Sequence, residues 1–232
     1  MTSPEPRFAR IAATIGDPTR ARMLAALMGG TWLSAGELAV AAGVTAQTAS
    51  GHVAQLLENE LVVLRTQGRH RYFRLADADV ARVLESLSLV AERSASADKW
   101  EQGAYRPLKA ARTCYTHLAG ELGVALLDGL QAQGTLAPSG GAFELTANGR
   151  EQLRTIGLDV GEARASRRFA YPCLDWSERR DHLAGSLASA LLEHCLERHW
   201  LRRSANSRAV VLTPAGRAAL APWLDPASAA LS

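Results

Sequence analysis

Apolar residues recur every three or four positions through the first part of the chain, which predicts a series of short amphipathic helices. The first helix ends at Gly16 and carries the apolar residues Phe8, Ile11, Ala12 and Ile15. Asp17 is placed to cap a second helix that begins at Pro18, where the absent N–H of proline removes no needed hydrogen bond. This second helix is expected to run to the glycine pair at 29–30.

A capping box follows, since Ser34 and Glu37 stand three residues apart before a short third helix through Ala42. Gly43 ends that helix, and Thr45 is placed to cap a fourth. Two short helices joined by a tight glycine-containing turn form the helix-turn-helix pattern.

The start of the fourth helix is polar but barely charged. Its hydrogen-bonding side chains belong to Thr45, Gln47, Thr48, Ser50 and His52. Taken alone, the stretch is most simply an ordinary polar helix start. Such side chains also suit base edges in the major groove, and the neighbouring elements favour a recognition helix.

The period of the pattern changes after Leu61. Two β-rich runs, 62–66 and 71–75, flank a glycine-containing turn at 67–70 and predict a hairpin. The basic residues in and beside this hairpin are Arg65, Arg69, His70, Arg71 and Arg74. Directly behind a helix-turn-helix, the hairpin is interpreted as the wing of a winged helix, with a basic tip suited to phosphates or the minor groove.

These motifs, in this order, resemble the ArsR/SmtB family of bacterial winged-helix repressors over about residues 8–95. The resemblance is carried by residues 17–24, 37–39, 43–45, 50–53 and 68–75. It places the recognition helix at Thr45 to His52 and the wing at Arg65 to Arg74. It also implies a homodimer whose interface uses the first helix and the helix after the wing, from Ala78 to about Trp100. A twofold pair of recognition helices would read a palindrome.

Two metal sites that are well known in this family are absent from the sequence. The third helix, residues 37–42, contains no cysteine. Asp77 and Asp79 have no histidine partners downstream in the helix after the wing. A signal is therefore expected to be sensed in the second half of the chain.

That second half contains an internal repeat. The segment 117–120 (His-Leu-Ala-Gly) returns at 182–185, and Leu145-Thr146 returns as Leu212-Thr213. Each copy, about 112–155 and 177–222, is predicted as a helix, a polar connection, a short strand pair and a threonine-capped helix start. The expected fold class is mostly α with small β-hairpins (α+β). A disordered arm at 1–7 precedes a winged-helix domain at 8–100 and an effector or sensor domain at 101–232, with the junction near Pro107.

The candidate effector-binding residues lie in the repeat region and are Cys114, His117, Cys173, Asp175, Trp176, His182 and Cys195. Their spacing predicts Cys114 and His117 on one helix face, Cys173 in a loop and His182 at the next helix, and it places Cys195 and His199 together on a helix. Thiol and imidazole groups suit a thiophilic metal ion, but buried cysteines often simply pack. Metal sensing, redox sensing and packing stay open.

A small organic effector is the alternative ligand. Aromatic residues near the same segments are Tyr105, Tyr115, Phe169, Tyr171 and Trp176, and nearby arginines are Arg112, Arg168, Arg179 and Arg180. An aromatic pocket with one or two arginines would suit an organic anion or an aromatic compound. An ordinary core with surface arginines explains these residues equally well.

Composition narrows the class of protein. The chain has 232 residues, 47% apolar, and a net charge of +3 carried almost wholly by arginine, since Lys99 and Lys109 are the only lysines. Three scattered cysteines form no disulfide framework. Without an apolar run of about 18 residues or a signal-peptide core, a cytoplasmic protein with no membrane partner is expected. No P-loop, dinucleotide fingerprint or nucleophile elbow points to an enzyme.

The sequence therefore predicts a regulator that binds double-stranded DNA as a homodimer and is controlled from its second half by a metal ion or a small organic effector. A winged helix that serves only protein interaction or assembly, with no operator of its own, is the alternative. The modest net charge permits either function.

Overall fold

The structure, a computed structural model, describes residues 7–92, 106–161, 168–205 and 207–225. The chain divides into two compact units, Met1–Leu84 and Glu85–Ser232. Nearly all of the predicted N-terminal arm lies outside the described residues. Within the described ranges, no helix combines the length and the apolar character that crossing a membrane requires.

The N-terminal unit is built from short helices and a small sheet. In chain order its elements are α1 (Arg7–Ile15), α2 (Pro18–Leu27), β1 (Leu33–Ser34), α3 (Ala35–Ala42), α4 (Ala46–Glu58), β2 (Val62–Gln67), β3 (His70–Leu75) and α5 (Ala78–Ala91), which continues past residue 84. The sheet is antiparallel with strand order β1-β3-β2. The two-residue strand β1 was not predicted, because it is too short to show a period.

The helix boundaries follow the predicted caps. Asp17 accepts hydrogen bonds from the backbone N–H groups of Thr19 and Arg20, each at 2.9 Å. The Ser34–Glu37 capping box is formed in both directions, and Gly43 ends α3 in the left-handed region with φ of 69°. These predictions are confirmed. The helix α2 ends two residues before the glycine pair that was expected to end it.

The core of the N-terminal unit joins the helices to the hairpin. Its fully buried side chains include Met23, Leu24, Leu27, Leu38, Leu56 and Leu75. The hairpin pairs Leu64 with Phe73 and closes from Gln67 to His70 around Gly68, whose φ is 59°. The described helix α5 is shorter than the helix predicted from Ala78 to about Trp100, and residues 93–105 lie outside the described part of the chain.

The C-terminal unit repeats a hairpin-and-helix pattern. After α6 (Arg106–Ala110), the first copy contains β4 (Arg112–Cys114), β5 (His117–Ala119), α7 (Glu121–Ala132), β6 (Leu136–Ser139), β7 (Ala142–Leu145) and α8 (Ala147–Thr155). The second contains β8 (Tyr171–Leu174), β9 (Asp181–Ala184), α9 (Ser186–Glu197), β10 (Leu201–Arg203), β11 (Val210–Leu212), α10 (Pro214–Leu220) and the 3₁₀ turn Ala221–Trp223. The mostly α fold with small hairpins is confirmed.

Each copy begins with a hairpin, and the prediction that it begins with a helix was wrong. Gly120 and Gly185 have φ of 81° and 102° and separate the second strand of each hairpin from the helix that follows. A Cβ at these positions would lie 2.5 Å from the carbonyl oxygen of Lys109 and 2.4 Å from that of Phe169. Only glycine combines this left-handed φ with so close an approach of backbone.

The two copies share one hydrophobic core. Helices α7 and α9 bury their apolar faces in it, through residues such as Leu122, Leu126, Leu130, Leu187 and Leu191. The helix α7 lies against β9 and α9 lies against β5, so the helix of each copy packs on the first hairpin of the other. This exchange brings β5 and β9 into contact.

Candidate functional site

The first turns of α4 present polar side chains to solvent. Thr45 caps the helix, since its Oγ1 accepts a hydrogen bond from the N–H of Thr48 at 3.2 Å, which confirms the predicted start. Ala49 and Val53 turn inward, and Thr45, Gln47, Thr48 and Ser50 are exposed. The amphipathic spacing of α4 therefore fixes which of its side chains face outward.

Four of the predicted DNA-contacting residues are already engaged within the unit. The hydroxyls of Thr45 and Thr48 lie 2.9 Å apart and share a hydrogen bond. Ser50 donates its hydroxyl to the carbonyl of Ala46 at 3.0 Å. His52 is half-buried, and its Nδ1 lies 3.5 Å from Oδ1 of Asp17, the cap of α2. Gln47 has an exposed amide, and within the described ranges no intramolecular hydrogen bond holds it.

The wing divides its basic residues between two faces. Arg65 stands opposite Tyr72 and Gln67 opposite His70, so these residues project from the face away from the buried Phe73. Arg71 projects from the other face, with its guanidinium 5.7 Å from the ring of Phe73. Arg65, Arg69, His70 and Arg71 are all exposed, whereas Arg74 is half-buried with its guanidinium over Trp32 at 4.9 Å.

Arg20 holds α4 in place and was not singled out as a functional residue. Its Nε donates to the carbonyl of Thr14 at 2.6 Å, and its Nη1 donates to Oε1 of Gln55 on α4 at 2.5 Å. One guanidinium thus ties the end of α1 to α4. This contact could not be predicted from the sequence, because Arg20 and Gln55 lie 35 positions apart along the chain.

A second group of functional side chains lies in the C-terminal unit. Cys114, His117, Cys173 and His182 bring one sulfur or ring nitrogen each into a cluster whose ligand atoms all lie within 4.8 Å of one another. The Nε2 atoms of the two histidines are 3.1 Å apart. Cys114, His117 and His182 are buried, and Cys173 is half-buried.

The backbone that builds this cluster differs from the predicted one. Cys114 and His117 do not share a helix: they lie on β4 and β5 as a directly opposed pair. Cys173 lies on β8 instead of in a loop, and it opposes His182 on β9, which was expected at a helix. The two-residue turn after Cys114 is made possible by Tyr115 in the left-handed region, with φ of 58°. Helical spacing of three was therefore misleading here.

Each hairpin contributes the same cross-strand cysteine–histidine pair. Directly opposed residues of an antiparallel pair project from the same face, with Cβ atoms about 5 Å apart. The repeat at a fixed offset matches His117 to His182, but it could not match the cysteines. Two residues separate Cys114 from His117, whereas eight separate Cys173 from His182.

Asp175 and Arg112 support the cluster from behind. Oδ2 of Asp175 lies 3.1 Å from Nδ1 of His182 and accepts a hydrogen bond from the N–H of Gly120 at 2.7 Å. Oδ1 accepts from Nη2 of Arg112 at 2.7 Å. The guanidinium of Arg112 lies 4.1 Å from the ring centroid of Trp176. A carboxylate behind a ligating histidine fixes the orientation of its ring.

The electrostatics of the cluster favour a thiolate. A hydrogen bond from Cys114 lowers the pKa of Cys173, helped by His117 and His182 and opposed by burial. The same hydrogen bond, with burial, raises the pKa of Cys114. Burial disfavours charge on both histidines and lowers the pKa of His117. For His182, Asp175 and Cys173 outweigh burial and raise the pKa to about 9.

The third cysteine lies elsewhere. Cys195 is buried in α9 within the hydrophobic core, where burial raises its pKa to about 12. The pairing of Cys195 with His199 on one helix was wrong, because α9 ends at Glu197 and His199 follows with φ of 57°. The cluster draws its two sulfurs from Cys114 and Cys173.

The arginines of the predicted anion pocket are largely committed to other partners. Arg112 is fully buried against Asp175, and Arg180 pairs with Asp128 at 2.7 Å. Arg168 lies over the ring of Tyr171 at 5.5 Å. Tyr105 lies outside the described residues. The described contacts therefore favour the cysteine–histidine cluster over the organic-anion pocket.

Comparison with known proteins finds several that are similar to the N-terminal part of the chain. A helix-turn-helix domain model matches residues 15–65. The HTH-type transcriptional regulator CmtR of Mycobacterium bovis is 36% identical over 108 residues, covering 42% of this chain and 91% of CmtR. The solution structure of the homodimeric winged helix-turn-helix domain of Mb0332 from the same species, a possible ArsR-family regulator, is 26% identical with a TM-score of 0.36, covering 41% of this chain and 94% of that one.

One relative extends through both units. The HTH-type transcriptional regulator YdfF of Bacillus subtilis, which has no characterised role, is 41% identical over 221 residues, covering 95% of this chain and 98% of YdfF. The similarity therefore includes the C-terminal unit as well as the winged helix. The chain belongs to the family of HTH-type transcriptional regulators, in a form that carries a C-terminal region beyond the helix-turn-helix domain.

Proposed function

We propose that this protein is a repressor that binds a palindromic operator as a homodimer, and that a signal sensed in its C-terminal unit controls the binding. The observation that carries the proposal is the capped start of α4. Its polar side chains are exposed to solvent, and its apolar side chains are buried on the opposite side of the helix. Gln47 and Thr48 read base edges, with Thr45, Ser50 and His52 flanking them. Arg65, Arg69, His70 and Arg71 of the wing bind phosphates.

Apolar side chains on α1 and α5 support the homodimer. Phe8 is 72% exposed, and Val83, Leu87 and Val90 are 48%, 47% and 53% exposed. The three α5 residues recur at helical spacing and form one stripe. Contact with a second copy of the chain would cover these exposed side chains, and the two recognition helices of the dimer would be related by a twofold axis.

Gel-shift titration of the full chain on the DNA upstream of its own gene tests the proposal. We expect a complex that resists excess unrelated DNA at physiological salt, and a footprint with twofold symmetry. Because contacts to phosphates alone lose affinity steeply with salt, binding that vanishes between 50 and about 200 mM salt on every sequence would contradict an operator. That result would favour an interaction or assembly role for the winged helix.

A further inference from the structure

We propose that Cys114, His117, Cys173 and His182 form a closed tetrahedral site for a thiophilic divalent cation of the zinc type. This names the class of effector for the C-terminal unit, and to that extent it rests on the proposed function. The site itself is argued from the geometry of that unit alone.

The distances suit one shared ion. Two ligand nitrogens about 2.0 Å from zinc lie about 3.3 Å apart at the tetrahedral angle, and zinc-bound sulfurs lie about 3.8 Å apart. The Nε2 atoms of His117 and His182 are 3.1 Å apart, and the whole set of ligand atoms falls within 4.8 Å. Small side-chain movements would bring all four to bonding distance.

The four ligand atoms, two sulfurs and two nitrogens, indicate which class of metal ion would bind. Two sulfurs with two imidazole nitrogens in a tetrahedron are typical of zinc, and oxygen-preferring ions such as magnesium or calcium are poorly served. Two thiolates carry two negative charges, which a divalent ion balances. The nearby charges of Arg112 and Asp175 offset one another. A buried site is most stable when its charges cancel in this way.

Two features around the cluster are typical of metal sites: a carboxylate behind one histidine, and a path from solvent to one sulfur. Asp175 lies behind His182 and directs its Nε2 toward His117. Cys173 is half-buried, so a metal ion or a chelator can reach its sulfur from solvent. Because each hairpin supplies one cysteine and one histidine, an ion would fasten β4–β5 to β8–β9 and so join the two copies of the repeat.

Metal titration of the reduced full chain tests the site without any DNA. The apo protein is prepared with a chelator and a non-thiol reductant, and is titrated with Zn²⁺ against a chromophoric chelator and with Co²⁺ followed by absorbance. We expect one ion per chain, with Co²⁺ showing thiolate charge-transfer bands and the intense visible bands of tetrahedral coordination. Cys195→Ser is the matched control, since it changes a buried cysteine outside the cluster and should bind as wild type does.

Variants of the cluster test whether its side chains are the metal ligands. Cys114→Ser and Cys173→Ser should each weaken the charge-transfer bands, because each removes one of the two sulfur ligands, and the double variant should lose them. Asp175→Asn should weaken zinc affinity by about 10- to 100-fold. Circular dichroism reports whether each variant folds. If the serine variants fail to fold, the wild-type Co²⁺ spectrum decides by itself. An octahedral spectrum, no stoichiometric binding, or charge-transfer bands at full wild-type intensity in both folded single-serine variants would overturn the proposal.

The effector role has a separate readout. Operator affinity should differ between zinc-loaded and chelator-treated wild type, and likewise for Cys195→Ser, but not for Cys114→Ser. If zinc does not change the operator affinity of the wild type, the proposed effector role is wrong. Absence of operator binding under every condition would contradict the proposed function, while the DNA-free titration still decides the metal site.

Discussion

Nη2 of Arg112 donates a hydrogen bond of 2.7 Å to Oδ1 of Asp175, and both side chains are fully shielded from solvent. The two residues stand in different copies of the repeat, 63 positions apart. Ser177 reinforces the pair, since its hydroxyl accepts from Nη1 of Arg112 and donates to Oδ1 of Asp175. The pair therefore joins the copies at the same place as the cysteine–histidine cluster.

Replacing Asp175 with asparagine should destabilise the C-terminal unit strongly. The change leaves the buried Arg112 charge without its counter-ion, and breaking a buried ion pair in this way costs about 3–5 kcal/mol. Urea unfolding in the presence of a chelator measures the loss of unfolding free energy without any contribution from metal. Asp181→Asn, at an exposed position on β9, is the control and should change stability little. Equal effects of the two variants would show that the pair does not stabilise the unit.

Two glycine-to-alanine changes should act in opposite directions. A Cβ at Gly216 would lie 2.2 Å from the carbonyl oxygen of Trp200, so Gly216→Ala must displace backbone, at a cost of about 1–3 kcal/mol. Gly51 is exposed inside α4 with no atom within 4 Å of an added Cβ. Gly51→Ala should therefore raise stability by about 0.5–1 kcal/mol through helix propensity. Thermal unfolding of both variants measures the signs, and a destabilising Gly51→Ala would contradict the exposed setting of α4.

Substitutions in the wing and in the recognition helix should change DNA binding in different ways. Arg69→Ala removes one exposed charge that is proposed to bind a phosphate, so binding should weaken on all sequences and the salt slope should fall by about 1. Gln47→Ala should lower the preference for the operator over altered sites and leave the salt slope nearly unchanged. Gel shifts on operator and mutated operator across a range of salt concentrations separate the two effects. If neither variant alters binding, this helix and wing are not the DNA contacts.

The exposed stripe on α5 should control association. Leu87→Glu places a charge in the expected dimer interface, where it would be buried without a partner, so the variant should sediment as a monomer at concentrations where wild type is a dimer. Val40→Glu is the matched control, since Val40 is 77% exposed on α3 and should leave the dimer intact. Analytical ultracentrifugation distinguishes these outcomes. A dimeric Leu87→Glu would place the interface elsewhere.

The starts of α2, α3 and α4 could be predicted because caps are local. Asp17, Ser34 and Thr45 each bond to backbone two or three residues ahead, so the sequence pattern contains both partners of the interaction. Thr146 and Thr213 cap their helices in the same way, as expected. Spacing along the chain was also sufficient for the wing, since a hairpin pairs residues close in sequence.

The C-terminal cluster depends on contacts that spacing does not encode. Cys114 and His117 fit either a helix face or a two-residue hairpin, and the left-handed backbone of Tyr115 and Gly120 decides for the hairpin. The sequence alone predicted a winged helix and identified every residue of the cluster as a candidate. Only the tertiary structure set Cys195 apart and joined the other four, because packing of β5 against β9 brings together side chains that lie about sixty positions apart.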